Sequence, residues 1–203
     1  MHILKELVNN VDNATHDAEE ESRVITIFTC GKISDRSIRQ VLPDALAGYG
    51  GVQYFNGTEL FCLGAQPPRF LVYEWENLPQ EACTKGILLF KNSFSPLPGH
   101  CLPRELFPIF EARNTAASSF LRGTGVVAIT CGTSPRDTLS LSSLDDNSAM
   151  VSLQRCITTL DGYVIEPGDI SVSLQQSRSP HQILAAVSVL LLAGIPWEDG
   201  YVF

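Results

Sequence analysis

An α/β fold is predicted: a mainly parallel sheet flanked by helices, with a smaller antiparallel β-hairpin subsheet. Three features of the sequence carry that prediction. Short apolar runs recur at Val24–Phe28, Phe70–Tyr73, Gly86–Phe90 and Gly125–Thr130, the signature of strands covered on both faces. The first run passes through Thr29-Cys30-Gly31-Lys32-Ile33-Ser34 into Ile38, Val41, Leu42 and Ala45 at helical spacing. A buried strand, a glycine turn and a helix open the three-layer domains of P-loop or Rossmann-like type. Finally, the texture changes after Thr138 to alternating, β-rich segments with tight-turn signals, which predicts hairpins.

The chain divides into residues 1–22, a short N-terminal helix and an acidic linker, and residues 23–203, the α/β domain. His2 to Val8 has an amphipathic pattern, and Asn9 to Glu21 is polar, with Glu19-Glu20-Glu21 before the first strand. Gly50-Gly51 stops the first domain helix. Asn56-Gly57 then joins Val52–Phe55 to Thr58–Leu63 as a hairpin, because type I′ turns need positive φ at both central residues. Phe70–Glu74 and Gly86–Phe90 follow as strands, and the Pro-, Ser- and Gly-rich stretch from Lys91 to Pro103 is a long loop. Phe107–Glu111 predicts a strand, Thr115–Leu121 a helix and Gly125–Thr130 the next strand. Thr138–Ser143, Ala149–Arg155, Tyr163–Ile165 and Ile170–Leu174 supply the hairpins. Pro180–Ala193 closes as a helix, with Ser179 as N-cap, Pro180 at the first helical position and Gly194 as the stop.

Composition bounds the function classes. A hydrophobic content of 44% with 18% charged residues is globular rather than disordered. The net charge of −8 excludes a phosphate-backbone footprint, so no nucleic-acid partner is expected. No polybasic stretch points to a membrane surface. The longest apolar run, Ile183–Ile195, falls short of the ~20 residues that span a bilayer, and Met1–Val11 is not a signal peptide. The expected location is the cytosol. The six cysteines are dispersed without a C-x-x-C pair, which predicts buried thiols rather than a zinc site. Cys30 and Cys131 each follow an apolar strand in a Thr-Cys-Gly echo; reactive thiols at strand ends are the competing reading of these two.

The glycine turn departs from a phosphate loop. In G-x-x-x-x-G-K-[ST] the first glycine permits close backbone approach and the hydroxyl holds magnesium. Here Gly31-Lys32 is present, but Thr26 stands at the first glycine position and Ile33 at the hydroxyl position.

From Val24 to Ile195 the order of motifs resembles the central, ATP-binding domain of the Mur ligases and their folylpolyglutamate synthetase relatives. Pro108-Ile109-Phe110-Glu111-Ala112-Arg113-Asn114 resembles the family strand that ends in Asn. Val126–Gly132 resembles the next strand, running into "T-F-G", and Pro180–Val187 with Ala193-Gly194-Ile195 resembles the "G-x-H-N-V-x-N-A … L-G-I" helix. The catalytic half is eroded: the phosphate loop is incomplete, Glu74 is followed by Trp75-Glu76-Asn77, and Lys91-Asn92 has no Asp-His after it.

The resemblance implies tentative nucleotide-binding positions at Gly31, Lys32, Asn114 and His181, and a tentative metal position at Glu74. Residue chemistry alone gives each an alternative: Lys32 an exposed turn lysine, Asn114 an N-cap, His181 a first-turn surface residue and Glu74 a solvated or paired carboxylate. No catalytic set is assigned, and Asp35, Asp137, Asp145 and Asp146 have no partners at catalytic spacing. Phosphoryl transfer depends on positioned cations and backbone donors. The expectation is therefore a non-catalytic Mur-ligase-like binding or assembly module, with another protein or a second copy as partner. Trp197, Tyr201 and Phe203 are its candidate contact surface. The alternative is a nucleotide or small-anion binder, or residual enzyme, with a remodelled loop at Thr29–Asp35; ATP with magnesium enters only there. The flanking domains of a Mur-type ligase are not expected within this length of chain, so a ligase reading would need them supplied by other chains.

Overall fold

A computed structural model describes residues 24–81 and 84–203; the helix and acidic linker expected at 1–22 lie outside them. The elements run β1 (Ile25–Cys30), α1 (Leu42–Ala47), β2 (Gly51–Phe55), β3 (Leu60–Leu63), β4 (Pro68–Trp75), β5 (Gly86–Phe90), β6 (Leu106–Glu111), α2 (Thr115–Leu121) and β7 (Ile129–Gly132). They continue with β8 (Leu139–Leu144), β9 (Ser148–Leu153), β10 (Ile157–Thr158), β11 (Val164–Ile165), β12 (Gly168–Ser173), α3 (Pro180–Leu192) and β13 (Tyr201–Val202).

One 11-stranded sheet runs in the order β13-β12-β9-β8-β7-β6-β5-β1-β4-β2-β3. Its middle, from β2 through β8, is parallel throughout. Strand β3 pairs antiparallel with β2, β9 antiparallel with β8 and β12 antiparallel with β9, while the edge strand β13 runs parallel to β12. The hairpin at Asn56-Gly57 forms, but not through a type I′ turn: only Gly57 has positive φ, at +89°, and Asn56 Oδ1 accepts from the Thr58 and Glu59 N–H groups, so the second strand starts at Leu60 rather than Thr58. The later hairpins do not sit beside the main sheet but extend it. Only β10 and β11 form a separate, two-stranded antiparallel sheet.

The central strands alternate between two apolar layers. On β5, Ile87 and Leu89 face one core with Ile27, Leu42, Leu46 and most of α3. Leu88 and Phe90 face the other, with Phe110, Ala117 and Leu121. Thus α1 and α3 cover one face and α2 the other, which is why β5 is buried at every position. Helix α3 is itself apolar nearly all round, with Ile183 through Leu192 buried, as expected of a core helix.

Two further boundaries differ from the sequence expectation, and each has a physical reason. The helix after β1 is shorter than its periodicity suggests. The carbonyls of Lys32, Asp35, Ser37 and Gln40 are taken by Lys91 Nζ, Lys91 Nζ, Gln182 Nε2 and Arg178 Nη1, so they do not build a helical ladder. Pro43 has no N–H to extend the helix backwards. Strand β7 starts at Ile129 rather than Gly125, because Gly125 at φ +73° turns the chain outward and Val127 is 89% exposed.

At the C-terminus, Tyr201 and Phe203 are buried and Trp197 half-buried, since β13 pairs with β12 and Tyr201 donates to the Ile195 carbonyl. The aromatic tail packs back on the domain instead of forming a contact surface. Of the described cysteines, Cys30 and Cys131 are buried while Cys62, Cys101 and Cys156 are exposed, so the expected burial holds for two of the positions only.

Helix α3 starts with a full capping box: Ser179 Oγ accepts from Gln182 N–H, and Gln182 Oε1 accepts from Ser179 N–H at 2.9 Å. Ser179→Ala should cost about 0.5–2 kcal/mol, and Leu190→Ala, at a position with no exposure, about 2–5 kcal/mol. Urea denaturation of each variant measures both.

Candidate functional site: a lysine-filled strand-end crevice

The C-terminal ends of β1, β4, β5 and β6 meet where the strand order reverses around β1, the place where open α/β sheets bind ligands. The crevice is built around Lys91, the residue directly after β5. Its ammonium is fully buried and pairs with the carboxylate of Glu74 at the end of β4. It also donates to the carbonyls of Lys32 at 2.9 Å and Asp35 at 2.8 Å. The other Glu74 oxygen accepts from the Tyr54 hydroxyl of β2. A buried ion pair is tolerated only when its remaining donors and acceptors are satisfied, and these contacts satisfy them. Burial and Glu74 together push the Tyr54 hydroxyl pKa up, so it remains a proton donor.

The turn after β1 is closed around this lysine. Gly31 has φ +148°, and a Cβ there would lie 2.8 Å from Lys91 Cβ and 2.9 Å from Ser93 Oγ. Its amides are used internally: Gly31 N–H donates to the Trp75 carbonyl, Lys32 N–H to Ser93 Oγ, Ile33 N–H to Glu76 Oε1 and Asp35 N–H to the Lys32 carbonyl. Asp35 accepts from Ser93 Oγ at 2.8 Å and Ser37 Oγ at 2.7 Å. Burial pushes the Asp35 carboxyl up, but these hydrogen bonds and the Lys91 charge outweigh it and hold it below the ordinary carboxylate value.

A second buried carboxylate lies at the same end of the sheet, with β1 and β5 between its strand and that of Glu74. Glu111, at the end of β6, accepts from Asn92 Nδ2 at 2.5 Å and Arg113 Nε at 2.8 Å, and His181 Nδ1 on α3 lies 3.2 Å from it. Burial opposes ionisation of Glu111, yet the Asn92 and Arg113 bonds, with the charges of Arg113 and of His181 once it is protonated in acid, keep its pKa low. Burial lowers the pKa of His181 despite the pull of Glu111 and Asp35. The imidazole is therefore neutral at pH 7, and its Nε2 has no hydrogen-bond partner.

The structure thus gathers four of the five sequence-selected residues. Gly31 and Glu74 enclose Lys91. Asn114 caps α2 by accepting from Ala117 N–H at 3.0 Å and donates to the Lys91 carbonyl at 2.8 Å. His181 sits in the adjoining Glu111 cluster. Lys32 contributes only backbone; its side chain is exposed. Sequence reasoning missed Lys91 as the organiser, together with Tyr54, Ser93, Asp35 and Glu111. One signal was available: a lysine directly ending a wholly apolar strand, where solvent is scarce.

The residues present do not fit a triphosphate with magnesium at this turn. Four amides are already bonded, the space above Gly31 is filled, and both Glu74 oxygens are engaged by Lys91 and Tyr54. No group of three or more His, Cys, Asp or Glu suited to a metal occurs among the described residues. Nor are Cys30 and Cys131 poised as nucleophiles. Burial pushes both thiols up to about 12, against the Lys91 charge at Cys30 and the Ser188 hydrogen bond at Cys131.

Comparison with solved structures agrees with this topology. MurF ligase from Thermotoga maritima in complex with ADP matches at a TM-score of 0.50 and 12% identity, over 87% of this chain and 47% of that one. MurF from Acinetobacter baumannii matches at 0.50 and 14%, over 89% and 45%. The fold is Mur-ligase-like. The chain spans about half the length of these ligases. No protein-family model and no curated protein matches the sequence. No helix among the described residues is long and apolar enough to cross a membrane.

Two predictions follow from the charges. Lys91→Met leaves the Glu74 carboxylate buried and uncompensated, a loss of about 3–5 kcal/mol. Combining it with Glu74→Gln should cost less than the two single changes added, a coupling that a double-mutant cycle in urea reads. The second concerns pH. A histidine with a lowered folded pKa binds more protons when unfolded, so stability falls as pH drops through its ordinary value of 6.5. The low Asp35 and Glu111 values add a further loss in more acidic solution, as pH falls through the carboxylate range and below. Midpoints measured from pH 7.5 to 5 should fall for the parent and stay flatter for His181→Gln.

Proposed function

We infer that this chain is a Mur-ligase-like module that works by binding or assembly and transfers no phosphoryl group. The observation that carries this reading is the Lys91 ammonium seated inside the turn. A phosphate loop turns its amides toward an anion; this turn points two carbonyls at an internal cation. The partner would be another protein chain or a second copy. The spared C-terminal aromatics leave a different surface to supply the contact: Phe28, Tyr73 and Trp75 lie with ring centroids 5.6–6.0 Å apart across β1 and β4. All three keep solvent exposure, 39% for Trp75.

A second reading, binding of a nucleotide or small anion without turnover, is favoured by one feature. His181 Nε2 is buried without a partner beside Arg113 and Asn92. A ligand accepting this site would leave the Lys91 pair intact.

Thermal unfolding and phosphate release in ATP with magnesium separate these readings. A ligand at 100 times its dissociation constant stabilises by about 2.7 kcal/mol. No shift and no phosphate release are expected. A shift that His181→Gln abolishes, without phosphate release, would move the assignment to the second reading, and ATP turnover would refute both. Light scattering showing a strict monomer that co-purifies with nothing would count against assembly.

A further inference from the structure

At the other end of the parallel strands, away from Lys91, a partly open cavity of about 400 Å³ lies against the sheet, within the ~300–1,000 Å³ of small-molecule sites. Its origin is the early turn that shortens β7. Because the chain at Val127-Ala128 stands off from β6 before pairing begins at Ile109–Ile129, a gap opens beside the first residues of β6. Phe107, Pro108, Ala128, Ile129, Ile157 and Leu192 wall it with apolar surface. Closing the sheet would have filled this space with a strand.

The mouth is polar on one side. Arg155 reaches it from the connection between β9 and β10, and its Nη2 donates to the Arg136 carbonyl at 2.9 Å. That bond positions the guanidinium without neutralising it, and Arg155 makes no ion pair among the described residues. No acidic residue among those described lines the cavity, and the carboxylate next to it, Glu166, accepts from the lining Cys156 thiol at 3.1 Å rather than from Arg155. An apolar chamber with one unneutralised guanidinium at its entrance matches a molecule with an apolar body and a single anionic end. Guanidinium and carboxylate pair in a two-bond fork, which sets orientation as well as charge.

We propose that this cavity binds an aliphatic monocarboxylate, the tail lying between β6 and β10 and the carboxylate at Arg155. Removal of the tail from water drives binding at roughly 25 cal/mol per Å² of apolar surface, and Arg155 selects the charged end. The site is separate from the strand-end crevice and does not depend on the function inferred for it.

Calorimetric titration of the full chain with decanoate, decanol and acetate tests this. Decanoate should bind and acetate should not. Ala128→Trp should abolish decanoate binding by filling the chamber. Arg155→Gln should weaken decanoate by about 10- to 100-fold, the scale of one lost charge-assisted bond, and leave decanol unchanged. Because the tryptophan variant is the one at risk of misfolding, iodoacetamide labelling of the parent gives a second readout. Decanoate should slow alkylation of Cys156 at the mouth and leave Cys62 and Cys101 as they were. Absence of decanoate binding, equal binding by folded Ala128→Trp, equal effects of Arg155→Gln on decanoate and decanol, or labelling of Cys156 indifferent to bound decanoate would each overturn the proposal.

Discussion

The buried contact between Lys91 and Glu74 is the constraint around which the strand-end half of the domain is arranged. Removing two charges from water costs several kcal/mol apiece, so the pair persists only with its remaining valences filled. Tyr54 fills one for Glu74, and the Lys32 and Asp35 carbonyls fill two for Lys91. The five residues involved come from four segments: β2, β4, the turn after β1 and the start of the loop after β5. One ion pair therefore ties together segments far apart in the chain, across the point where the strand order reverses.

Much of the neighbouring backbone follows from that contact. The carbonyls of Lys32 and Asp35 are turned inward, so the chain after β1 cannot coil directly into a helix, and α1 is delayed to Leu42. Gly31 is needed because any side chain there would collide with Lys91 and Ser93. In a phosphate-binding loop glycine makes room for a ligand; here it makes room for the protein's own lysine. The same local sequence feature thus serves opposite electrostatics.

The two ends of the parallel strands differ in character. The C-terminal end is dense with paired charge: Asp35, Glu74, Lys91, Glu111, Arg113 and neutral His181 all have neighbours within bonding reach. The opposite end is apolar and locally unfinished, because the segment before β7 leaves the sheet early. The layered core between them, with β5 buried throughout, holds both ends at a fixed separation.

The linear sequence by itself determined the elements with strong local signals. The run Gly86–Phe90, the Asn56-Gly57 turn, the Asn114-capped helix at Thr115–Leu121 and the Ser179–Gly194 helix limits all rest on interactions within a few residues, so periodicity and capping chemistry revealed them. The departure of the glycine turn from the G-x-x-x-x-G-K-[ST] spacing was equally legible, since it is a matter of residue identity at fixed offsets. Only the tertiary structure decided that Lys91 fills the turn, that Asp35 and Glu111 are enclosed by partners, that Tyr201 and Phe203 are buried and that β7 begins late. Each of these depends on which distant segment supplies a donor, a charge or a covering surface. Lys91 and the Lys32 carbonyl are 59 positions apart in sequence yet 2.9 Å apart in space. No local pattern encodes that proximity; it arises when the sheet brings the strand ends together and excludes the water that would otherwise solvate the charge.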